Sequence, residues 1–100
     1  DHPDTLFVEV NHVGTLRRAG RDAEAWARLQ AVKPRVLAGL GPRQPQTHVL
    51  IEIEGELLAG QGRLAEARDA FAESYRLRRE SLGPDHPETL VAAWDLVQAE

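Results

Sequence analysis

Cysteine is absent from the 100-residue sequence, and so is methionine. Without cysteine there can be no disulfides, thiolate metal sites or thiol nucleophiles. The absence is compatible with a reducing cytoplasm, the expected location. Lysine occurs once, as Lys33, against eleven arginines. That skew is typical of a GC-rich, bacterial genome and says nothing about chemistry. No apolar run approaches the ~18 residues that a membrane span needs, and no basic segment leads into an apolar one as in a signal peptide. Serine occurs only as Ser74 and Ser81, neither of them in a Gly-x-Ser-x-Gly turn. Gly60-Gln61-Gly62 is not followed by Lys-Ser/Thr, so no phosphate-cradling loop is present. The net charge of -4 and pI near 5.5 leave no positive stripe for nucleic acid. With 42% hydrophobic and 28% charged residues, the chain reads as globular rather than disordered.

What is present is a repeat. Asp1-His2-Pro3-Asp4-Thr5-Leu6 returns, nearly unchanged, as Asp85-His86-Pro87-Glu88-Thr89-Leu90. Pro45 and Thr47 stand midway between Pro3-Thr5 and Pro87-Thr89. Gly20-Arg21 recurs as Gly62-Arg63, Ala23-Glu24-Ala25 as Ala65-Glu66-Ala67, and Leu40-Gly41-Pro42 as Leu82-Gly83-Pro84. The last three recurrences share one offset of 42 residues, and the hexapeptide returns after two such periods; a period of this length is the mark of a solenoid. The chain opens without Met and inside a loop of this pattern, so it is expected to be a piece of a longer protein.

Apolar spacing then predicts helices. Leu6, Val10, Val13 and Leu16 share one helical face from Pro3 to Ala19. Pro3 and Asp4 suit the first turn, Arg17 and Arg18 the last, and Gly20 ends the helix. A second helix begins at Asp22 as N-cap and turns Trp26, Leu29, Val32, Val36, Leu37 and Leu40 inward. Pro34, inside it, predicts a kink or a break near Val32-Lys33. A third helix spans Pro45 to Ala59. A fourth spans Leu64 to Leu82, with Leu64, Ala67, Phe71, Ser74 and Tyr75 facing its neighbours. A fifth runs from Pro87 to the chain end, with Leu90, Ala93, Trp94 and Val97 as its apolar stripe. Val49-Leu50-Ile51-Glu52-Ile53-Glu54 alternates like a strand, but the repeat register places it in a helix, and the register is preferred.

Paired helices with glycine at their turn, alanine early in the second helix, and the junction Leu82-Gly83-Pro84-Asp85-His86-Pro87-Glu88-Thr89-Leu90 resemble the tetratricopeptide repeat. The 42-residue form resembles the kinesin-light-chain type, which is also frequent in bacterial signalling proteins. The resemblance covers the whole chain. It implies an all-α, right-handed superhelical solenoid with repeat one at 1–42, repeat two at 43–84, and a further helix at 85–100 that begins a third repeat or caps the array. Gly55, Ala67, Ser74 and Ala25 occupy the family's small-residue positions. Repeat one departs from the pattern. Val13 stands where Gly55 does, Val32 and Pro34 replace Ser74 and Arg76, and the middle junction has lost its acidic residue, histidine and leucine. Looser packing or a bend in repeat one is expected.

The resemblance also implies a concave groove, lined by the first helix of each repeat, for a peptide or partner helix. Phe7, Val10, Asn11, Gly14, Arg17 and Arg18 would face it from repeat one. Val49, Glu52, Glu56 and Ala59 would face it from repeat two, and Val91, Trp94, Asp95 and Gln98 from the last helix. Asn11 occupies the position of the family's ligand-holding asparagines, where repeat two has Ile53 and the last helix Asp95. Such a groove is basic at one end and acidic further on, and suits an extended segment of matching polarity.

Plainer readings compete. Arg17 and Arg18 also suit a helix C-terminus, Glu52 and Glu56 a solvated face, and Trp94 the core. His48, Glu52 and Glu56 share a face at metal-ligand spacing, but a groove face has the same spacing and no fourth ligand is evident. His12 reads as a lone histidine near a core face. The sequence therefore points to a non-catalytic protein-binding module without metal or cofactor, and without nucleic-acid or membrane partners. The alternative is a structural module that packs on another domain, or self-associates through its terminal helix.

Overall fold

A computed structural model of the chain describes residues 2–99. Asp1 of the first hexapeptide and Glu100 at the end of the last predicted helix lie outside the described residues. Five helices follow one another: α1 (Pro3–Arg18), α2 (Asp22–Gly39), α3 (Pro45–Gly60), α4 (Leu64–Leu82) and α5 (Pro87–Ala99). Among the described residues there is no strand. α1 packs on α2, α3 on α1, α2 and α4, and α5 on α4. The result is an all-α solenoid of extents 31 × 30 × 19 Å, whose short dimension is two helix layers thick.

Chemistry at the turns explains which residues recur. Positive φ occurs, among the described residues, only at Gly20 and Gly62 within the repeats and at Gly41 and Gly83 between them. Ends of α1 and α3 are equivalent: Gly20 N–H donates to Arg17 O and Arg21 N–H to Leu16 O, as Gly62 does to Ala59 O and Arg63 to Leu58 O. This is the Schellman arrangement, in which a left-handed glycine lets two following amides satisfy orphan carbonyls. The next residue then holds the following helix. Arg21 forks onto Glu24 at 2.7 and 2.8 Å, and Arg63 onto Glu66 at 3.0 and 2.6 Å. Asp22, expected as N-cap, is instead the first residue of α2. Arg21 is the cap, and it makes no side-chain capping bond.

The hexapeptide histidines cap helices. The Asp4 N–H donates to His2 Nδ1 at 3.1 Å and the Glu88 N–H to His86 Nδ1 at 3.2 Å. At the middle junction Gln44 stands in that place without a capping bond. There the loop is tied from the other side: Thr47 Oγ1 donates to Gly41 O and His48 Nε2–H to Pro42 O, both at 2.7 Å.

Two cores run through the array. The first holds Leu6, Val10, Val13 and Leu16 of α1 with Leu29, Val32 and Val36 of α2, closed by Leu50, Ile53 and Leu57 of α3. The second joins Ile51 and Leu58 of α3 to Ala67, Phe71 and Leu77 of α4, with Leu96 and Ala99 of α5 against it. Trp26 packs on both. α3 is thus apolar on two faces, which accounts for its strand-like sequence: a helix buried on both sides loses clean 3.6-residue periodicity.

Three expectations are corrected. Repeat one is not loosely packed, because Val13 and Val32 are fully buried; Val13 has Leu29 at the register position where Gly55 has Phe71. α2 is not broken near Val32-Lys33 but continues as helix through Pro34, which is exposed. Thirdly, most of the expected stripe of α5 is outside: Leu90, Trp94 and Val97 are 56%, 63% and 59% exposed, and Ala93 is half-buried. α5 instead buries Thr89 and Ala92. The outward stripe is register-equivalent to Leu6, Val10 and Val13, which in repeat one lie in the core shared with α2. Leu37 and Leu64 are exposed as well, since each flanks the buried stripe of its helix rather than lying on it.

Candidate functional site

α3 and α5, the first helices of their units, flank a groove floored by α4. α3 turns Glu52, Glu56 and Ala59 toward it, at four- and three-residue steps along one face. α5 answers with Val91, Asp95 and Gln98, at the same steps. Two cavities mark the groove. One, of about 230 Å³, lies between Glu52, Arg78, Pro87, Glu88 and Val91. The other, of about 400 Å³, has Glu56 and Ala59 on one wall, Asp95, Gln98 and Ala99 on the other, and Leu64, Ala67 and Phe71 below.

Carboxylates set the electrostatics. Glu52 accepts from Arg78 at 2.6 Å. Glu56 lies 3.1 Å from Arg17 Nε, across from α1. Among the described residues the Asp95 side chain makes no hydrogen bond or ion pair. Burial pushes the Glu56 carboxyl above its usual range; Arg17 opposes that, while Glu52 and Asp95 add to it. Asp95 is raised too, by burial and by Glu52, against Arg78. Removing a carboxylate from water disfavours its charged form, and a like charge nearby compounds the effect.

The residues singled out from sequence divide into two groups. Glu52, Glu56, Asp95 and Gln98 line the two cavities. Asn11 and Arg18 are exposed on α1, Arg18 bonding Thr15 at 3.4 Å, and with Arg17 they line neither cavity. Val10 and Gly14, expected in the groove, are buried: Val10 belongs to the first core, and Gly14 lies beneath Arg18 and Ile53. Trp94, which suits the core as well as the groove by sequence, is exposed and lines neither cavity. Basic and acidic ends are not separate poles, because Arg17 and Glu56 are paired.

Two residues of the groove escaped sequence reasoning. Arg78 is only 5% exposed and holds Glu52, while Phe71 floors the larger cavity. Arg78 falls at i+7 from Phe71 and i+4 from Ser74, on the buried stripe of α4, and that spacing was the available signal. Interhelical pairs away from the groove include Lys33–Glu54 at 2.8 Å and Arg35–Glu9 at 2.9 Å. His48 is buried with its Nε2 on the Pro42 carbonyl, which commits the ring to the loop rather than to Glu52. No group of acidic and histidine side chains with metal-binding geometry occurs among the described residues. Nor, among them, is any helix long and apolar enough to cross a membrane.

Among curated proteins none matches the chain. A family model described as tetratricopeptide repeat matches residues 49–100, more than half of the sequence and all of the groove between α3 and α5. With its paired helices, its left-handed glycines in register and its two-layer stacking, the chain belongs to the tetratricopeptide repeat family, whose members generally serve in protein interaction.

Proposed function

We propose that this chain is a non-catalytic module that binds an extended peptide or a partner helix in the groove between α3 and α5. The observation that supports it is the pair of cavities between α3 and α5, lined by residues at four- and three-residue steps along both helices and backed by α4. Neighbouring concave sites, the larger with the apolar floor of Ala67 and Phe71 and the smaller closed by the Glu52–Arg78 pair, are what an extended segment docks into. α1–α2 and α3–α4 form repeats one and two, and α5 opens a third unit. The 42-residue spacing and its junction suit the kinesin-light-chain-like form, in a cytoplasmic protein of bacterial origin. Asn11 and Arg18 extend the groove toward repeat one.

Random peptides displayed on phage, selected on the purified protein, test the reading. The expected result is enrichment of a consensus whose binding is lost with Val91→Asp, while the circular dichroism spectrum stays helical. Selected peptides that ignore Val91→Asp and Glu52→Lys alike would sink it.

A second reading has its own observation. The exposed stripe Leu90, Trp94 and Val97 would let α5 pack against another domain of the parent protein or another copy. Sedimentation equilibrium that shows mass rising with concentration, and reverting with Trp94→Ser, would favour this reading over the groove.

A further inference from the structure

The interval between α1 and α3 and that between α3 and α5 use equivalent positions but are filled differently. In the first, Ile53 packs over Gly14: a methyl on that glycine would lie 3.5 Å from Ile53 Cδ1. Leu57 is buried in the same core. In the second interval Glu56 stands for Gly14, Asp95 for Ile53 and Ala99 for Leu57. Two carboxylates and a methyl replace a close apolar contact, and the cavity of about 400 Å³ is what remains. The first interval also carries its own cation, since Arg17 reaches Glu56 at 3.1 Å. The equivalent positions in the second are Ala59 and Gln98, which cannot make such a pair.

We propose that this cavity receives a lysine or arginine side chain of the bound segment, its alkyl stem on Phe71 and Ala67 and its cationic head between Asp95 and Glu56. The proposal rests on the groove reading and names its ligand chemistry. Long cationic side chains lay their methylenes along apolar surface while the head keeps a polar partner, and this cavity offers both parts. An acidic side chain would meet two carboxylates. An apolar one would cover Asp95 and leave its charge unpaired, which is strongly unfavourable. A cation instead relieves the repulsion that helps hold Glu56 above its ordinary range.

Nα-acetyl-lysine amide and Nα-acetyl-arginine amide are the probes, with the norleucine and glutamate analogues as controls, titrated into isotope-labelled protein and followed by amide NMR. The cationic probes are expected to give saturable shifts at Asp95, Gln98 and Ala99, and the controls none. Asp95→Asn is expected to weaken them about fivefold, the upper end for a partly exposed ion pair. Ala99→Leu, which brings the bulk of Leu57 to the second interval, is expected to abolish them with charge unchanged. Absence of saturable shifts, equal shifts with norleucine, or indifference to both substitutions would overturn the proposal. The phage selection judges the groove separately: a Val91-dependent consensus without any cationic-probe response overturns the cavity assignment and leaves the groove standing.

Discussion

A methyl on Gly55 would lie 2.9 to 3.0 Å from three atoms of the Phe71 ring. One unit earlier, Val13 and Leu29 occupy the same two positions and both are fully buried. The two pairs divide one volume differently, glycine with a large ring or valine with a smaller side chain. Gly55→Val alone is therefore expected to destabilise by about 1–3 kcal/mol through overpacking. Adding Phe71→Leu is expected to recover most of the loss, a coupling that a double-mutant cycle of urea midpoints measures.

His48 supplies a pH dependence. Burial holds its pKa below the ordinary value, with its bond to the Pro42 carbonyl acting the other way. Below about 6.5 the unfolded chain binds a proton there that the folded chain resists. Stability from this residue is complete above that pH and is lost as pH falls toward the lowered folded value. Glu56 and Asp95, both raised, have the opposite sign: they favour the fold most when protonated and lose that contribution as pH rises through their folded values. The loss between pH 7 and 5 is thus expected to shrink in His48→Leu, which carries the residue found at the equivalent position 6. Urea titrations of both proteins across that range check the sign.

At the scale of elements, α2 carries a proline that its fold does not use. Pro34 is exposed and the helix continues past it. Pro34→Ala returns an amide donor and removes a clash with the preceding turn, worth roughly 3 kcal/mol, less about 1 for the freer unfolded chain. A gain of about 2 kcal/mol in thermal or urea unfolding is the expected outcome. Elements were legible where one face alone is buried. The stripe of α1 and the limits of α4 follow from spacing and from the glycines. α3 misleads because Leu50, Ile53 and Leu57 serve one core while Ile51 and Leu58 serve the other. α5 misleads because its most apolar face is outward, and its contact with α4 uses Thr89 and Ala92. Of the groove, Glu52, Glu56, Asp95 and Gln98 could be read by carrying one helix face along the repeat. Arg78 and Phe71 do not follow from that face, since the floor comes from a second helix; their only signal is their spacing on the buried stripe of α4. The pairing of Arg17 with Glu56 joins residues in different repeats, which local spacing does not reveal.

Across the whole molecule, cohesion is uneven. Interhelical ion pairs join α1 to α2 through Glu9–Arg35, α2 to α3 through Lys33–Glu54, α1 to α3 through Arg17–Glu56, and α3 to α4 through Glu52–Arg78. Among the described residues none of the ion pairs involves α5. That helix lies against α4 with two buried residues and an apolar stripe in water. Repeat arrays open from weakly held units. Amide hydrogen exchange is therefore expected to be fastest in α5 and slowest in the middle of α3. Equal protection in the two helices would show that α5 opens only when the whole array does.

The two tryptophans differ in exposure, Trp94 being exposed and Trp26 half-buried. Trp94 stands on the outer stripe of α5, whereas Trp26 is wedged on both cores with the Arg63 guanidinium 5.4 Å from its ring centroid. The protein's indole emission is accordingly composed of two separable signals. Acrylamide will extinguish the redder Trp94 component first, and the light that survives comes from Trp26, a native optical gauge of whether the repeats remain seated on one another.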